Sequence, residues 1–194
     1  MLFSRIYQWT LAWVHRRHSS WALGVLSFAE SSFFPIPPDP LLMILVALRP
    51  ARWWKYAIIT TSASVVGGAF AYFIGFVFYE TAGKLIIESY GLTEQVAFVG
   101  KYYSDNLFFA VFGAAFTPIP YKVFTISAGL FKTSFWVFMA ASFLGRSLRF
   151  FLVSLLMYVF GLKMEKFIKK YFGILSLMFF ILLVAGFVVI KLYL

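Results

Sequence analysis

A proline-rich break in an apolar run constrains the fold of this chain more than any other feature. Prolines occupy four of the six positions from 35 to 40, between the apolar residues 21–34 and 41–48. Proline lacks the amide hydrogen that a helix needs and disfavours helical geometry in the preceding residue, so no single helix continues through this segment. A helix needs about 20 residues to cross the apolar core of a bilayer. Neither flanking segment is that long, and we expect the chain to bend at the prolines and return.

Composition places this bend in a membrane. Of 194 residues, 62% are hydrophobic, and 17 basic with 7 acidic side chains are too few to cover the exterior of a water-soluble protein of this size. The formal net charge of +10 does not indicate a nucleic-acid partner, because the basic residues cluster beside apolar segments, which is the pattern of membrane topology. The sequence contains no cysteine, which excludes disulfides and thiolate chemistry.

The apolar segments predict an all-α membrane protein. We expect an inverted repeat of two opposed re-entrant helical hairpins, each followed by a transmembrane helix. An amphipathic interfacial helix precedes this repeat, and a further transmembrane helix follows it. In chain order, the predicted segments are the interfacial helix 1–18, hairpin 21–48, span 56–79, hairpin 107–131, span 135–160 and span 173–191.

The charges of the connecting segments predict the orientation. Residues 80–105 hold four acidic and two basic side chains, whereas residues 161–171 hold four lysines and one glutamate. Basic connections face the cytoplasm. We therefore predict that the acidic connection 80–105 is extracytoplasmic and that the basic loop 161–171 and the N-terminus are cytoplasmic. The membrane we expect is a bacterial-type cytoplasmic, or inner, membrane.

A single kinked span over residues 21–48 is the alternative to the first hairpin. Such a span would separate the basic residues before it from those after it by a full membrane. The residues concerned are Arg16, Arg17, Arg49, Arg52 and Lys55. The hairpin keeps all of them on the cytoplasmic side, so the charge bias favours the hairpin.

The two proline-rich segments form an internal repeat. The stretch FFPIPPDPL (33–41) aligns with FTPIPYKVF (116–124), which pairs prolines with prolines and Asp39 with Lys122. One membrane crossing separates the two hairpins, so the copies are expected to have opposite orientation. Inverted repeats whose broken helices meet near the middle of the bilayer are typical of secondary transporters. The predicted hairpin breaks are Pro35, Pro37, Pro38, Pro118 and Pro120.

Five charged residues are predicted to lie at membrane depth: Glu30, Asp39, Lys122, Arg146 and Arg149. A charge at the centre of a membrane helix costs about 2.5–3.5 kcal/mol on insertion scales, so these residues must pair, meet water or bind a ligand. Arg146 and Arg149 are three positions apart and share a helical face, which suits two guanidiniums to one phosphate group. We predict that these arginines and Lys122 bind substrate. Glu30 and Asp39 are expected to gate the site or couple it to protons, since intramembrane ionisable residues commonly mark such paths.

A structural interpretation of the same charges stays open. The two acids would neutralise the two arginines and fix the first hairpin to the helix that follows the second one. The two interpretations are compatible, since the acids would release the arginines when they are protonated.

The sequence resembles a known family in four motifs: ESSFFPIPPDPLL, SVVGGAFAYFIG, FTPIPYKVFTISAG and GRSLRFF. They are similar to those of the DedA family, within the larger VTT-domain group, and most similar to its small YqaA-like branch. The resemblance covers residues 28–160. Its acids map onto Glu30 and Asp39, and its arginines map onto Arg146 and Arg149. Lys122 departs from the family pattern, as does the Gly-Gly at 67–68, where many relatives have Gly-Asp.

This resemblance implies two opposed re-entrant hairpins and a role in moving lipids across the bilayer. Bacterial members are linked to the recycling of undecaprenyl phosphate and to the proton motive force. Eukaryotic VTT-domain relatives are phospholipid scramblases.

The residues and the resemblance together predict a transporter of an anionic, phosphate-bearing lipid, such as undecaprenyl phosphate or a phospholipid, linked to the proton motive force. An energy-independent scramblase and a membrane scaffold with structural ion pairs are the alternatives. An enzyme is not expected, because the segments at membrane depth hold no histidine, no cysteine and no set of metal ligands. No metal or other cofactor is predicted. The expected partners are the bilayer, the lipid and protons, and the glycines at 67, 68 and 75 are compatible with a homo-oligomer.

Overall fold

The computed structural model describes residues 19–34, 36–117 and 119–161. The predicted interfacial helix 1–18, the basic loop from residue 162 onward, the predicted span 173–191, Pro35 and Pro118 lie outside the described residues. Within them the chain forms helices and no strand, which confirms the predicted all-α class.

Eight α-helices make up the described part of the chain. In chain order they are α1 (Ser19–Ser32), α2 (Asp39–Leu48), α3 (Trp53–Phe78), α4 (Lys84–Ser89), α5 (Thr93–Asp105), α6 (Leu107–Phe116), α7 (Tyr121–Leu130) and α8 (Phe135–Gly161). A 3₁₀ turn at Pro50–Arg52 leads into α3, and a π-helical turn at Tyr79–Gly83 joins α3 to α4.

The proline-rich segments interrupt the helices where the sequence predicts. The first break separates α1 from α2, and the second separates α6 from α7. Pro40 lies in the first turn of α2, where its missing amide hydrogen has no helical partner to lose. Asp39 lies in the same turn, where a carboxylate interacts favourably with the positive end of a helix. The prolines therefore end one helix and allow the next to begin.

Among the described residues, two helical segments are long and apolar enough to cross a membrane, namely Pro50–Ser89 with 40 residues and Phe135–Gly161 with 27 residues. They contain the predicted spans 56–79 and 135–160. At about 1.5 Å per residue, a helix of 27 residues extends about 40 Å, which exceeds the apolar core of a bilayer. The outer face of α8 is apolar and exposed, for example at Leu144, Leu148 and Leu152.

Each long helix packs against both pairs of short helices. One core joins α1 and α2 to the start of α3 and the second half of α8, with Leu23, Leu42, Tyr56 and Phe150 among its members. The other core joins α6 and α7 to the end of α3 and the first half of α8, with Val111, Ala128, Tyr72 and Phe138 among its members. The two long helices run antiparallel, since the start of α3 packs on the end of α8 and the end of α3 packs on the start of α8.

Glycines let the short helices approach the long helix α3 at backbone distance. A β-carbon at Gly67 would collide with the backbone of Phe28 in α1. β-Carbons at Gly75 and Gly129 would collide with the facing backbones of Ile126 in α7 and Tyr72 in α3. These glycines are therefore used for packing within the chain. A homo-oligomer stays a prediction and would need another surface.

The predicted acidic connection between the two halves contains helices, which its charge pattern does not predict. Residues 80–105 are helical for most of their length, in the π turn, α4 and α5. Leu85, Tyr90 and Phe98 are exposed on them, which suits a membrane surface better than bulk water. Tyr103 fixes α5 to hairpin helix α7 by donating a hydrogen bond of 2.8 Å to the carbonyl of Phe124. Burial raises the pKa of Tyr103, so the phenol keeps the proton that it donates.

Candidate functional site

The two proline-rich breaks meet at the middle of α8. Lys122, in the first turn of α7, donates a hydrogen bond of 3.0 Å to the carbonyl of Phe34 in the first break. Arg149 on α8 contacts both breaks, because its guanidinium reaches Asp39 and also the carbonyl of Thr117. The structure thus brings residues from both proline-rich segments to one place, although Lys122 and Phe34 are 88 positions apart in sequence.

Arg146 is sealed in a polar pocket of its own. Its Nη2 lies 2.5 Å from a carboxylate oxygen of Glu30 and 2.8 Å from the hydroxyl of Ser31. Its Nε lies 2.5 Å from the hydroxyl of Ser64 on α3, which in turn lies 2.7 Å from that of Ser31. One guanidinium therefore joins α1, α3 and α8.

Two aromatic rings complete the enclosure of Arg146. The guanidinium carbon lies 4.5 Å from the ring centre of Tyr121 and 4.9 Å from that of Phe150. A flat, delocalised cation stacks favourably on such rings, particularly away from water. The side chain is only 4% exposed. Bound in this way, Arg146 has little room for a further anion.

Arg149 makes fewer contacts and is more accessible. Its Nη2 lies 3.1 Å from both carboxylate oxygens of Asp39, and its Nη1 donates a hydrogen bond of 2.8 Å to the carbonyl of Thr117. Its Nε is buried and has no hydrogen-bond partner among the described residues. The side chain is 18% exposed, against 4% for Arg146. The Arg149–Asp39 pair is therefore the one that an incoming anion reaches more easily.

All five predicted charged residues lie around this junction, but the two arginines do not share one partner. Arg146 pairs with Glu30 and Arg149 pairs with Asp39. Lys122 has no carboxylate partner among the described residues, so the cluster holds three cations and two anions. A net positive charge at the junction favours the approach of an anion.

The remaining predicted residues are the prolines of the breaks. Pro37, Pro38 and Pro120 lie between the short helices, as expected, and Pro38 is buried. Within residues 19–34, 36–117 and 119–161 no group of three or more histidines or acids is placed to hold a metal ion.

Sequence reasoning missed the hydroxyl groups that bind Arg146. Ser31 directly follows Glu30, and Ser64 lies on α3 among small and β-branched residues. Small residues in a membrane helix predict close packing, which hides a hydrogen-bonding role. The signal available was spacing, because Ser64 lies one helical turn before Gly67 and Gly68, on the buried face of α3 that packs against α1.

Comparison with known proteins identifies the family of the chain that forms this charged junction. The VTT domain matches residues 36–159, which span α2 to α8 and contain four of the five charged residues. The chain belongs to the VTT-domain family. This family, which includes the DedA proteins, consists in general of membrane proteins of the transporter type and not of enzymes.

Two relatives share most of the length of the chain. An uncharacterized protein of Haemophilus influenzae is 34% identical over 191 residues, which cover 98% of each chain. An uncharacterized protein of Histophilus somni is 30% identical over 153 residues, which cover 79% of this chain and 80% of the relative. No solved structure matches the chain. The VTT match and the two long apolar helices together make this a membrane protein.

Proposed function

We propose that this VTT-domain protein moves an anionic, phosphate-bearing lipid across the bilayer, with a link to the proton motive force. The observation that carries the proposal is the junction at which Lys122, Arg149 and Arg146 meet two acids between the two helix breaks. A cluster of this charge, on helices of this apolarity, suits a phosphate headgroup whose tail stays in the surrounding lipid.

The packing supports an inverted repeat of two opposed re-entrant hairpins. Hairpin 1 is α1 with α2 and is followed by α3, and hairpin 2 is α6 with α7 and is followed by α8. Each long helix starts against its own hairpin and ends against the other. That exchange of partners is what two copies of opposite orientation produce, and transporters of this design hold substrate where the broken helices meet.

Before a headgroup binds, the carboxylates of Glu30 and Asp39 occupy the positions beside the two arginines that a phosphate would take. The headgroup first replaces Asp39 at Arg149. In this pair the charged atoms are farther apart and the side chains more exposed than in the pair of Glu30 with Arg146. Lys122 adds a second cation from the opposite hairpin. Protonation of Asp39 releases the guanidinium, so that proton uptake and headgroup binding occur together. The inner-membrane location and the cytoplasmic N-terminus belong to the same proposal.

A second candidate function is that of a membrane scaffold held by structural ion pairs. The saturated surroundings of Arg146, with a carboxylate, two hydroxyls and two rings, favour it. An arginine that only stabilises the fold needs no unoccupied hydrogen-bond donor for a ligand.

Transbilayer movement of lipid in liposomes tests these functions. Purified protein is reconstituted with fluorescent undecaprenyl phosphate or with a fluorescent phospholipid, and movement is followed with and without an imposed pH gradient. The variant is Arg149→Gln, and the matched control is Arg52→Gln, an exposed arginine at the start of the first long helix.

A coupled transporter moves one of these lipids only under the gradient and loses this movement in Arg149→Gln but not in Arg52→Gln. Movement without gradient dependence indicates a scramblase and contradicts proton coupling. A folded protein that moves neither lipid contradicts both and leaves the scaffold.

A further inference from the structure

An apolar cavity lies beside the end of hairpin 2, away from the charged junction. Its volume is about 350 Å³, and it is bounded by the end of α3, the π turn, α4, α5 and the end of α7. Phe78, Ile87, Val96 and Phe131 are among its walls, and Gln95 is the one polar side chain among the described residues that line it.

This cavity opens at a surface that is itself apolar. Ile86, Leu92 and Val99 line it and are exposed. Apolar cavities do not hold water, because water finds no hydrogen-bond partners in them. For a membrane protein, the apolar material at hand to fill such an opening is the hydrocarbon of a lipid tail. The lining therefore suits the tail of a lipid.

A half-exposed ion pair lies next to the cavity. Lys132 directly follows the wall residue Phe131, and Glu80 lies one helical turn before the wall residue Gly83. The ammonium of Lys132 contacts the carboxylate of Glu80 and lies 4.7 Å from the ring centre of Tyr79. The side chains of the two charged residues are 43% and 48% exposed.

The backbone at Lys132 forms the left-handed cap of α7, in which the amides of Lys132 and Thr133 donate hydrogen bonds to the carbonyls of Gly129 and Ala128. Its φ of 51° lies in the left-handed region, which residues other than glycine, asparagine and aspartate rarely adopt. The ammonium of Lys132 is half-exposed beside the apolar cavity, so an anionic group of a ligand can reach it.

We propose that the cavity binds one tail of a resident glycerophospholipid whose zwitterionic, amine-bearing headgroup lies at the Lys132–Glu80 pair. The phosphate of the headgroup meets the ammonium of Lys132, and its amine meets the carboxylate of Glu80. A purely anionic headgroup offers no cation to Glu80 and would compete with this carboxylate for Lys132, so it is disfavoured by its charge. This lipid fixes the α4–α5 connection to hairpin 2 and is distinct from any lipid that moves at the charged junction.

Photo-crosslinking in nanodiscs tests the site without relying on transport. The probes are phosphatidylethanolamine and phosphatidylglycerol, each with a photoreactive group in one tail, and labelled peptides are mapped by mass spectrometry. Val96→Trp fills the cavity, and its matched control is Phe98→Trp, an exposed position on the same helix that does not line it. Lys132→Asn removes the charge with a residue that tolerates the left-handed backbone, and Lys101→Asn is its control.

We expect phosphatidylethanolamine to label α4, α5 and the end of α7 several-fold more than phosphatidylglycerol does. Val96→Trp should abolish most of this labelling while Phe98→Trp leaves it unchanged, and Lys132→Asn should remove the preference between the two lipids.

Labelling that persists in Val96→Trp, or that spreads evenly over the exposed apolar helices, would overturn the cavity assignment. Equal labelling of the wild type by the two lipids would overturn the headgroup assignment. If Val96→Trp does not fold, Ile87→Trp fills the same cavity, with Leu85→Trp as its exposed control.

Discussion

At the scale of single residues, the two arginines of α8 have different surroundings although they are three positions apart. Arg146 binds Glu30, two serine hydroxyls and two rings, whereas Arg149 binds Asp39 and one carbonyl. Loss of the partner of a buried charge lowers the free energy of unfolding strongly, because the remaining charge cannot return to water. Equal charge changes at the two pairs should therefore have unequal effects.

Replacing Glu30 by Gln should destabilise the protein more than replacing Asp39 by Asn. Glu30→Gln leaves Arg146 buried without a counter-charge, at a cost of about 3 kcal/mol or more. Asp39→Asn leaves Arg149 with its bond to Thr117 and more access to solvent, at a cost on the order of 1–2 kcal/mol. Unfolding of the purified variants in one detergent measures both values, and an equal loss of stability in the two would contradict the difference drawn between the pairs.

Replacing Lys122 by Met should affect function more than stability. Its ammonium contacts the carbonyl of Phe34 in an exposed hydrogen bond, so the loss of that bond should cost less than about 1 kcal/mol. Under the proposed function, removal of one of three cations slows the movement of the phosphate-bearing lipid. The thermal unfolding midpoint and the liposome assay are measured on the same preparation, and an unchanged transport rate would remove Lys122 from the site.

At the scale of the helices, close packing on α3 depends on individual glycines. Gly67 contacts the backbone of α1, whereas Gly75 and its counterpart Gly129 form the contact with α7. A glycine in a membrane helix weakens the helix slightly but lets a neighbouring backbone approach. At these positions the approach determines where the hairpins lie.

Replacing Gly129 by Ala should separate α7 from α3. The added methyl group would overlap the backbone carbonyl of Tyr72, and we expect a loss of about 3 kcal/mol or more. Gly113→Ala on α6 is the matched control, because no residue that the structure describes lies within 4 Å of a β-carbon there. That control should be neutral or stabilising by up to about 1 kcal/mol, since alanine favours a helix over glycine. Thermal unfolding in detergent compares the two, and equal stability would contradict the close approach.

At the scale of the whole molecule, the proposed topology places both ends of hairpin 1 on one side of the membrane. The chain contains no cysteine, so single cysteines can be introduced without a background. Ser20→Cys at the start of α1 and Ala51→Cys after α2 should then react with an impermeant maleimide from the same side. Lys101→Cys in the α4–α5 connection should react from the other side. Labelling of Ser20→Cys and Ala51→Cys from opposite sides would replace the hairpin by a kinked span.

Much of this fold could be predicted from the sequence, because prolines and apolar length act locally. The prolines predict where α1 and α6 end and where α2 and α7 begin. The predicted positions agree with the structure to within about two residues, a margin usual for helix ends. The helices of the α4–α5 connection were not predicted, because its charges were counted while its apolar residues, such as Leu85 and Phe98, were not. Charge predicts the side of a membrane, and it does not predict whether the segment is helical.

The candidate site could be predicted in part. The cost of charge in a membrane predicts that acids and arginines meet, and they do. Which acid meets which arginine depends on how hairpin 1 lies against α8, a long-range contact that no local pattern contains. The role of Ser64 was hidden for the same reason, because its partner is 82 positions away in sequence.

Under the proposed function, the position of α8 between the two pairs of short helices would let it act as a lever. It packs on hairpin 2 with its first half and on hairpin 1 with its second half, and its charged residues lie at the middle of its length. A rigid rod about 40 Å long that tilts about its midpoint moves its two ends in opposite directions. Opening at one face of the membrane would then require closing at the other, with the arginines close to the fulcrum and nearly stationary. Distances between spin labels at the two ends of α8 and the facing hairpins should change with opposite sign if the helix moves in this way.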